Sequence, residues 1–517
     1  MAQDPLAAIA AQLPDKTAVV DDRPGAPPRR WSFAELNRDV NRLAHALRAA
    51  GVEPGTKVVW CGMNSIDVVR MMAAARKLAA TAVPLNYRLT ADEAAFVVDD
   101  CDAELVWVDA EFAPLCAEVR PRTPKVRHIV VFDGPCPPGT LAAEELCAGA
   151  SEEEPAQRGA QGPAATMIYT SGTTGKPKGA LRRGIGDPDQ LRRLVAFIGY
   201  RPDDVYLTTG PLYHSGPGGF MAVSQLLGNT VVLQRRFDPE DWLRLLERYR
   251  VSTTFSAPTP IRMVCNLPAE TRRRYDVSSM RRMIANAAPW SYALKELYLS
   301  TFPEDSLFEV YGSTELGVNT VLRPEDQRRK RGSCGRPSPG VEIALFDEEG
   351  RRIEKPHAPG ELFVRSASVF DTYYKAHEKF EAERRDGWQT VGDVAYFDEE
   401  GFYYICDRKK DMIISGGMNI YPAEIEAALE HHPEVLDVAV FGIPSEEWGE
   451  SVHAVIVPQP GASPGGDELL AFARKHLAGY KVPRSVSFVD ELPRTGSGKI
   501  LKRVLREPFW KDRTSRV

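Results

Sequence analysis

Between residues 32 and 255, short apolar runs alternate with stretches whose apolar positions recur at helical spacing. That alternation limits the fold more than any other feature. Leu36, Val40, Leu43 and Leu47 repeat at helical spacing over residues 32–50, Gly51 closes the helix, and Lys57-Val58-Val59-Trp60 starts a strand. Further apolar runs follow at 105–108, 128–132, 230–233 and 250–255. A strand that is apolar throughout has no face to give to water, so helices must cover both sides of its sheet. The expected fold class is α/β, with mainly parallel sheets clothed in helices.

The pattern changes after residue 340. Short strands separated by the turns Asp347-Glu348-Glu349-Gly350 and Asp398-Glu399-Glu400-Gly401 suit a small β-rich unit over 340–404. Residues 137–154 open with turn formers and close acidic, as a surface connection does. Beyond 410 a compact α/β module follows. Its first helix begins near Pro422, carries Glu424 and Glu426 in its first turn, buries Ile425, Ala428 and Leu429, and ends at His431-His432. Acids first and imidazoles last complement the helix dipole, so the histidine pair reads as a helix end and not as a metal site. The expected division is a large N-terminal part, 1–409, and a small C-terminal part, 410–517.

The segment from Tyr169 through Thr170, Ser171, Gly172, Thr173, Thr174, Gly175, Lys176, Pro177 and Lys178 to Gly179 follows the apolar pair Met167-Ile168. Glycines let a loop wrap closely around an anion, hydroxyls and backbone N–H groups donate to it, and lysines add charge. This is the chemistry of a polyphosphate site. It is not the common P-loop, which would need Gly at 170 and Ser or Thr at 177, where the chain has Thr170 and Pro177. Gly461-Ala462-Ser463-Pro464-Gly465 matches a hydrolase elbow by letter, but Pro464 has no N–H to give an oxyanion hole, so it reads as a linker.

Composition excludes more than it identifies. A net charge of −6 gives nucleic acid or an anionic membrane no reason to bind. Solvated surface is the reading for the basic clusters at 272–274 and 328–331. Cys61, Cys101, Cys116, Cys136, Cys147, Cys265, Cys334 and Cys406 are scattered without C-x-x-C spacing, which implies neither zinc nor a disulfide framework. No apolar run approaches the ~18 residues of a membrane span, and the acidic N-terminus lacks a basic leader, so a cytoplasmic, reduced protein is expected.

Four further motifs follow the phosphate segment in order: Tyr311-Gly312-Ser313-Thr314-Glu315, Gly387-Trp388 with Gly392-Asp393, Asp407-Arg408-Lys409-Lys410-Asp411 leading to Ser415-Gly416-Gly417, and Pro493-Arg494-Thr495-Gly496-Ser497-Gly498-Lys499. With them the chain resembles the adenylate-forming superfamily of acyl-CoA synthetases, peptide-synthetase adenylation domains and firefly-type luciferases. The likeness is greatest to medium- or long-chain fatty or aryl acyl-CoA ligases. Weaker similarity runs from Pro14-Asp15-Lys16-Thr17 to Lys502.

The resemblance implies that Thr170, Ser171, Gly172, Thr173, Thr174, Gly175 and Lys178 cradle the β- and γ-phosphates of ATP. Glu315 would ligate Mg2+, Thr314 would touch the α-phosphate, and Tyr311, next to Gly312, would stack on adenine beside the strand end at Asn286. Asp393 and Arg408 would hold the ribose hydroxyls from two sides, one as acceptor and one as donor. Lys499 would align the substrate carboxylate with the α-phosphate.

The implied reaction activates a hydrophobic carboxylic acid to acyl-AMP, releases pyrophosphate, and transfers the acyl group to CoA. For that second step the small C-terminal part would rotate about Lys410, Gly417 would open a pantetheine channel, Trp448 and Tyr480 would hold the CoA adenine, and Lys481 would meet its 3′-phosphate. An amide-forming ligase with an amine acceptor, and a non-catalytic nucleotide or acyl sensor, are the alternatives. Retention of Lys499, Glu315 and Arg408 together argues against the sensor, which has no need of an alignment cation. Pro211-Leu212-Tyr213-His214-Ser215-Gly216 resembles the segment lining the acyl pocket, with His214 as a gate or a packing residue. Phe220, Met221, Phe255, Ile261 and Met263 would form its walls. No acid sits among them, which suits an apolar tail or ring over an amino acid. The partners expected are the small-molecule acid and CoA; oligomeric state is left open, a homodimer included.

Overall fold

The computed structural model describes residues 4–156, 164–170, 177–184, 186–288, 290–409, 411–416, 418–494 and 500–511. Among these residues the strands form four sheets. In the first, Ala165–Thr170, Thr81–Pro84, Lys57–Cys61, Ala103–Asp109 and His128–Phe132 run parallel, and Lys178–Arg183 folds back antiparallel on Ala165–Thr170. In the second, Thr230–Leu233, Val205–Thr208, Thr253–Ser256, Arg282–Ala285 and Leu307–Ser313 run parallel, and Gly317–Leu322 returns antiparallel on the last of them. Helices Phe33–Ala49, Ile66–Lys77 and Ser215–Leu226 share one apolar cluster with both sheets, through Leu36, Leu43, Met71, Phe220, Trp60 and Val231. The helix expected at 32–50 is set by Ser32, whose hydroxyl accepts from Glu35 N while Glu35 accepts from Ser32 N. The α/β class with mainly parallel sheets is what the chain adopts.

One local expectation is corrected. The run at 250–255 becomes a strand only at Thr253, because Arg250 takes a left-handed turn (φ 50°) to close helix Pro239–Arg248. The connection at 137–154 is tied down at its acidic end. Glu154 meets the buried ammonium of Lys77 at 2.7 Å and accepts from Asn37 at 2.7 Å, which fixes the chain shortly before the phosphate segment.

The β-rich unit is an antiparallel sheet built on Glu342–Phe346, Gly360–Arg365, Trp388–Phe397 and Tyr403–Arg408. Arg328 and Arg329 are exposed, as expected of solvated surface; Arg328 pairs with Glu296 at 3.2 Å, Arg329 with Glu400 at 2.5 Å, and Lys330 is largely covered by its pair with Asp398 at 2.7 Å. The last sheet joins Ile413–Ser415, Met418–Ile420, Val435–Ser445, Gly449–Pro458 and Ser485–Phe488, and helices Pro422–Leu429, Gly466–His476 and Lys502–Trp510 follow in the same stretch of chain. Helix Pro422–Leu429 stops short of the histidines, and Glu426 is a partner of Lys502 at 2.8 Å, not a free dipole acid. Among the described residues no helix is long and apolar enough to cross a membrane.

Candidate active site

Thr170 ends its strand, and the antiparallel register sets it opposite Lys178, so both flank the polar segment between them. Thr170 Oγ1 donates to Glu315 Oε1 at 2.9 Å. Tyr373, on Thr372–Tyr373 at the edge of the same sheet, donates to that oxygen at 3.2 Å. Lys178 Nζ stands 5.8 Å from the Tyr373 ring centroid, and burial, with Lys379 nearby, pushes its pKa down. Ser171, Gly172, Thr173, Thr174 and Gly175 lie outside the described residues, as do Lys410, Gly417 and Lys499.

Glu315 is 8% exposed and sits in the turn between Leu307–Ser313 and Gly317–Leu322. Its neighbour Thr314 shares a hydrogen bond of 2.8 Å with Ser215 Oγ at the start of helix Ser215–Leu226. The turn is tight enough that a Cβ on Gly312 would lie 2.0 Å from the Gly317 carbonyl oxygen, so only glycine fits there.

One residue back on the same strand, Tyr311 donates to Asp393 Oδ2 at 2.6 Å. Asp393 and Arg408 are direct cross-strand partners, with Arg408 Nε 3.4 Å from Asp393 Oδ1. Burial first, then the charge on Asp393, push the Tyr311 phenol far up, so it stays protonated and donates. Asn286, at the end of the adjacent strand Arg282–Ala285, donates its amide to Val310 O. Segments far apart in the sequence thus meet on either side of Gly312.

This donor set fits a nucleotide and a magnesium ion. Mg2+ keeps several waters and takes one or two carboxylates plus substrate phosphates, which suits the single carboxylate of Glu315 beside the hydroxyls of Thr170 and Thr314. Among the described residues no cluster of three or more His, Cys, Asp or Glu side chains forms a closed metal cage. A pair made of one acceptor-only and one donor-only group suits a ribose diol.

The residues expected to line an acyl pocket divide. His214 caps the start of Ser215–Leu226 with its ring 4.4 Å from that of Tyr213, and Phe220 and Phe255 stack at 5.3 Å. Met221 is buried in the same cluster. Ile261 packs in a different cluster with Trp242, and Met263 is 47% exposed, so neither joins the Phe220–Phe255 wall.

In the last sheet, Trp448 packs over Gly416 and lies 5.2 Å from the Arg484 guanidinium. Tyr480 is 44% exposed, and Lys481 is bound to Glu424 at 2.6 Å. The charge of Lys481 is therefore shared before any phosphate arrives, and Arg484 is a second cation at that surface. Sequence reasoning missed Tyr373, Arg182 and Arg484, and read Ser215 only as part of the acyl-pocket segment, not as a partner of Thr314. Arg182 shares its strand with Lys178 and Arg183, so its charge alone gave no signal.

Comparison with known proteins agrees with this geometry. The profile of the AMP-binding enzyme family matches residues 6–374, and that of the AMP-binding enzyme C-terminal domain matches residues 424–499. The chain belongs to the AMP-binding enzyme family. It is 36% identical to an indoleacetate–CoA ligase of Aromatoleum aromaticum, over 96% of this chain and 95% of that one. It is 34% identical to ScoC, a fatty acid–[acyl-carrier-protein] ligase of Streptomyces coeruleorubidus, over 95% and 93%. The ATP-bound structure of MatB from Rhodopseudomonas palustris superposes with a TM-score of 0.86 at 30% identity, covering 99% of both chains.

Proposed function

We propose that the chain is an ATP-dependent acid–thiol ligase that adenylates a hydrophobic carboxylic acid and passes the acyl group to CoA. The observation that carries this reading is the pair of clusters around Gly312: Thr170, Thr314 and Glu315 on one side, Tyr311, Asp393 and Arg408 on the other. A carboxylate is a poor electrophile, so it needs a leaving group. Its oxygen attacks the α-phosphorus, the bond to the bridging oxygen breaks, and pyrophosphate departs with the electron pair. Attack of the CoA thiolate on the carbonyl carbon then forms the thioester and expels AMP. Magnesium, when bound, neutralises charge on the phosphates. Glu315 would hold it, Thr170 and Lys178 would hold phosphate oxygens, Asp393 and Arg408 the ribose, and Lys499 would bring the carboxylate in line.

The small C-terminal part, beginning at Lys410, would turn between the two steps and bring Gly417, Trp448 and Tyr480 to the acyl-adenylate. The Phe220–Phe255 wall supports an apolar or aromatic acid. Eight free thiols support a reducing, cytoplasmic setting. The test is a panel of aliphatic and aromatic acids incubated with ATP and Mg2+, with and without CoA, read by mass spectrometry. Acyl-AMP without CoA and thioester with it are expected. Acyl-AMP that reacts only with amines or a carrier protein would replace the acceptor, and no pyrophosphate with any acid would sink the ligase reading.

A further inference from the structure

Arg182 lies on Lys178–Arg183, two alternations from Lys178 and so on the same face of the strand. Its guanidinium Nη2 donates to Thr314 O at 2.9 Å, and Nη1 donates to Ser368 O. Those carbonyls belong to two segments that close upon Glu315. The Phe370 N–H donates to Glu315 O at 2.7 Å, and Gly317, at φ +75°, is packed so closely that a Cβ would lie 2.8 Å from that of Ser368. One planar fork therefore ties the peptide between Thr314 and Glu315 to residues 366–370, a task that suits two parallel donors better than one ammonium.

Carbonyls accept hydrogen bonds without cancelling charge. Among the described residues no carboxylate lies within ion-pair distance of Arg182, since the nearby Asp371 is engaged by Arg183, through its side chain at 3.6 Å and its N–H at 2.7 Å. Partial burial pushes the guanidinium's pKa down, but an arginine keeps its charge at any physiological pH. Asp371 and the buried carboxylate of Glu315 attract the guanidinium from beyond ion-pair distance, so its charge is only partly balanced at short range.

Resting on the ligase reading above, we propose that Arg182 is a positioning residue for the polyphosphate step. It fixes Thr314 and Glu315 through their backbone and supplies a standing positive charge that favours ATP and pyrophosphate. It acts through those two residues and touches no reacting atom.

The test titrates ATP with Mg2+, and inorganic pyrophosphate with Mg2+, into the whole chain by calorimetry, for wild type, Arg182→Lys and Arg182→Met. Pyrophosphate release is measured on the same samples, and folding is monitored by thermal melting. Arg182→Met should weaken both ligands about tenfold or more. Arg182→Lys should keep most of the affinity yet lower kcat, because one ammonium cannot hold both carbonyls. A folded Arg182→Met with unchanged affinity, or an Arg182→Lys with unchanged kcat, overturns the proposal. Should Arg182→Met fail to fold, Arg182→Lys decides alone by its split between affinity and kcat. A wild type that binds no nucleotide sinks the ligase reading and this proposal together; wild-type binding with indifferent variants sinks this proposal only.

Discussion

Replacing Gly312 by alanine adds one methyl group at the most crowded point of the candidate site. The new Cβ would meet the Gly317 carbonyl oxygen at 2.0 Å, Gly317 C at 3.0 Å and Val318 Cα at 3.1 Å. All three are backbone atoms, so no side chain can swing aside to relieve the clash. Since Cβ atoms do not approach other atoms closer than 3.0 Å, the turn must open by the difference from 2.0 Å, which is 1.0 Å. Overpacking of this kind costs about 1–3 kcal/mol, which in a chain of this size lowers the melting temperature by only roughly 1–3 °C. Activity should suffer more. Tyr311 lies before the opened point and Thr314 and Glu315 after it, so the two clusters move apart, and a misplacement of about 1 Å is worth roughly a hundredfold in rate. The assay is initial-rate pyrophosphate release with saturating acid, beside a thermal melt of the same preparation. A Gly312→Ala protein that melts like wild type and keeps its rate within about threefold would refute the reasoning, because the backbone would have absorbed the methyl without moving either cluster.

Trp448→Ala should raise the KM for CoA about five- to a hundredfold, the worth of one lost adenine stack, and leave pyrophosphate release without CoA unchanged. Equal loss in both half-reactions would show that the ring serves only to pack Gly416 and Arg484. Glu430, behind helix Pro422–Leu429, has its carboxyl raised from 4.5 to about 7, by burial first, with Arg262 opposing and Asp437 and Glu426 adding. The folded chain holds that proton more tightly than the unfolded one. Its contribution is full below the unfolded value and is lost as pH rises through the folded one. Glu430→Gln should therefore flatten the fall in melting temperature between about pH 5 and about pH 8, and an unaltered slope would contradict the assignment.

Periodicity made the large parallel sheets legible, because a strand buried on both faces is written in continuous apolar letters, as at His128–Phe132 and Thr230–Leu233. The ends of elements were less legible. Arg250 turns left-handed where its neighbours read as strand, since the preceding helix needed closing before the sheet could begin. Within the site, Thr170, Tyr311, Thr314, Glu315, Asp393 and Arg408 stood out because their motifs are dense and ordered. Tyr373 did not, and Ser215 was read only as part of the acyl-pocket segment, since an aromatic residue in a short edge strand and a serine at a helix start have ordinary structural reasons to be there. What distinguishes them is a neighbour: Glu315 lies 58 positions from Tyr373, and Thr314 lies 99 from Ser215. Pairings of that span are decided by sheet order and helix placement, which no local window of sequence contains.

Asp407 precedes Arg408, the residue proposed to hold the ribose, yet its carboxylate accepts the Ala423 N–H at the start of helix Pro422–Leu429 at 3.1 Å and stands 4.0 Å from Lys502. Two adjacent residues of one strand therefore face different neighbours, Asp393 for one and the final sheet's helices for the other. Equilibria that share a strand in this way are bound by reciprocity. By whatever factor nucleotide binding alters the balance between docked and released arrangements of those helices, docking alters nucleotide affinity by the same factor. Under the proposed reading, the strand Tyr403–Arg408 would be the place where occupancy and orientation are exchanged in a common currency, and a substitution at Asp407 would change the rate of exchange without touching the nucleotide.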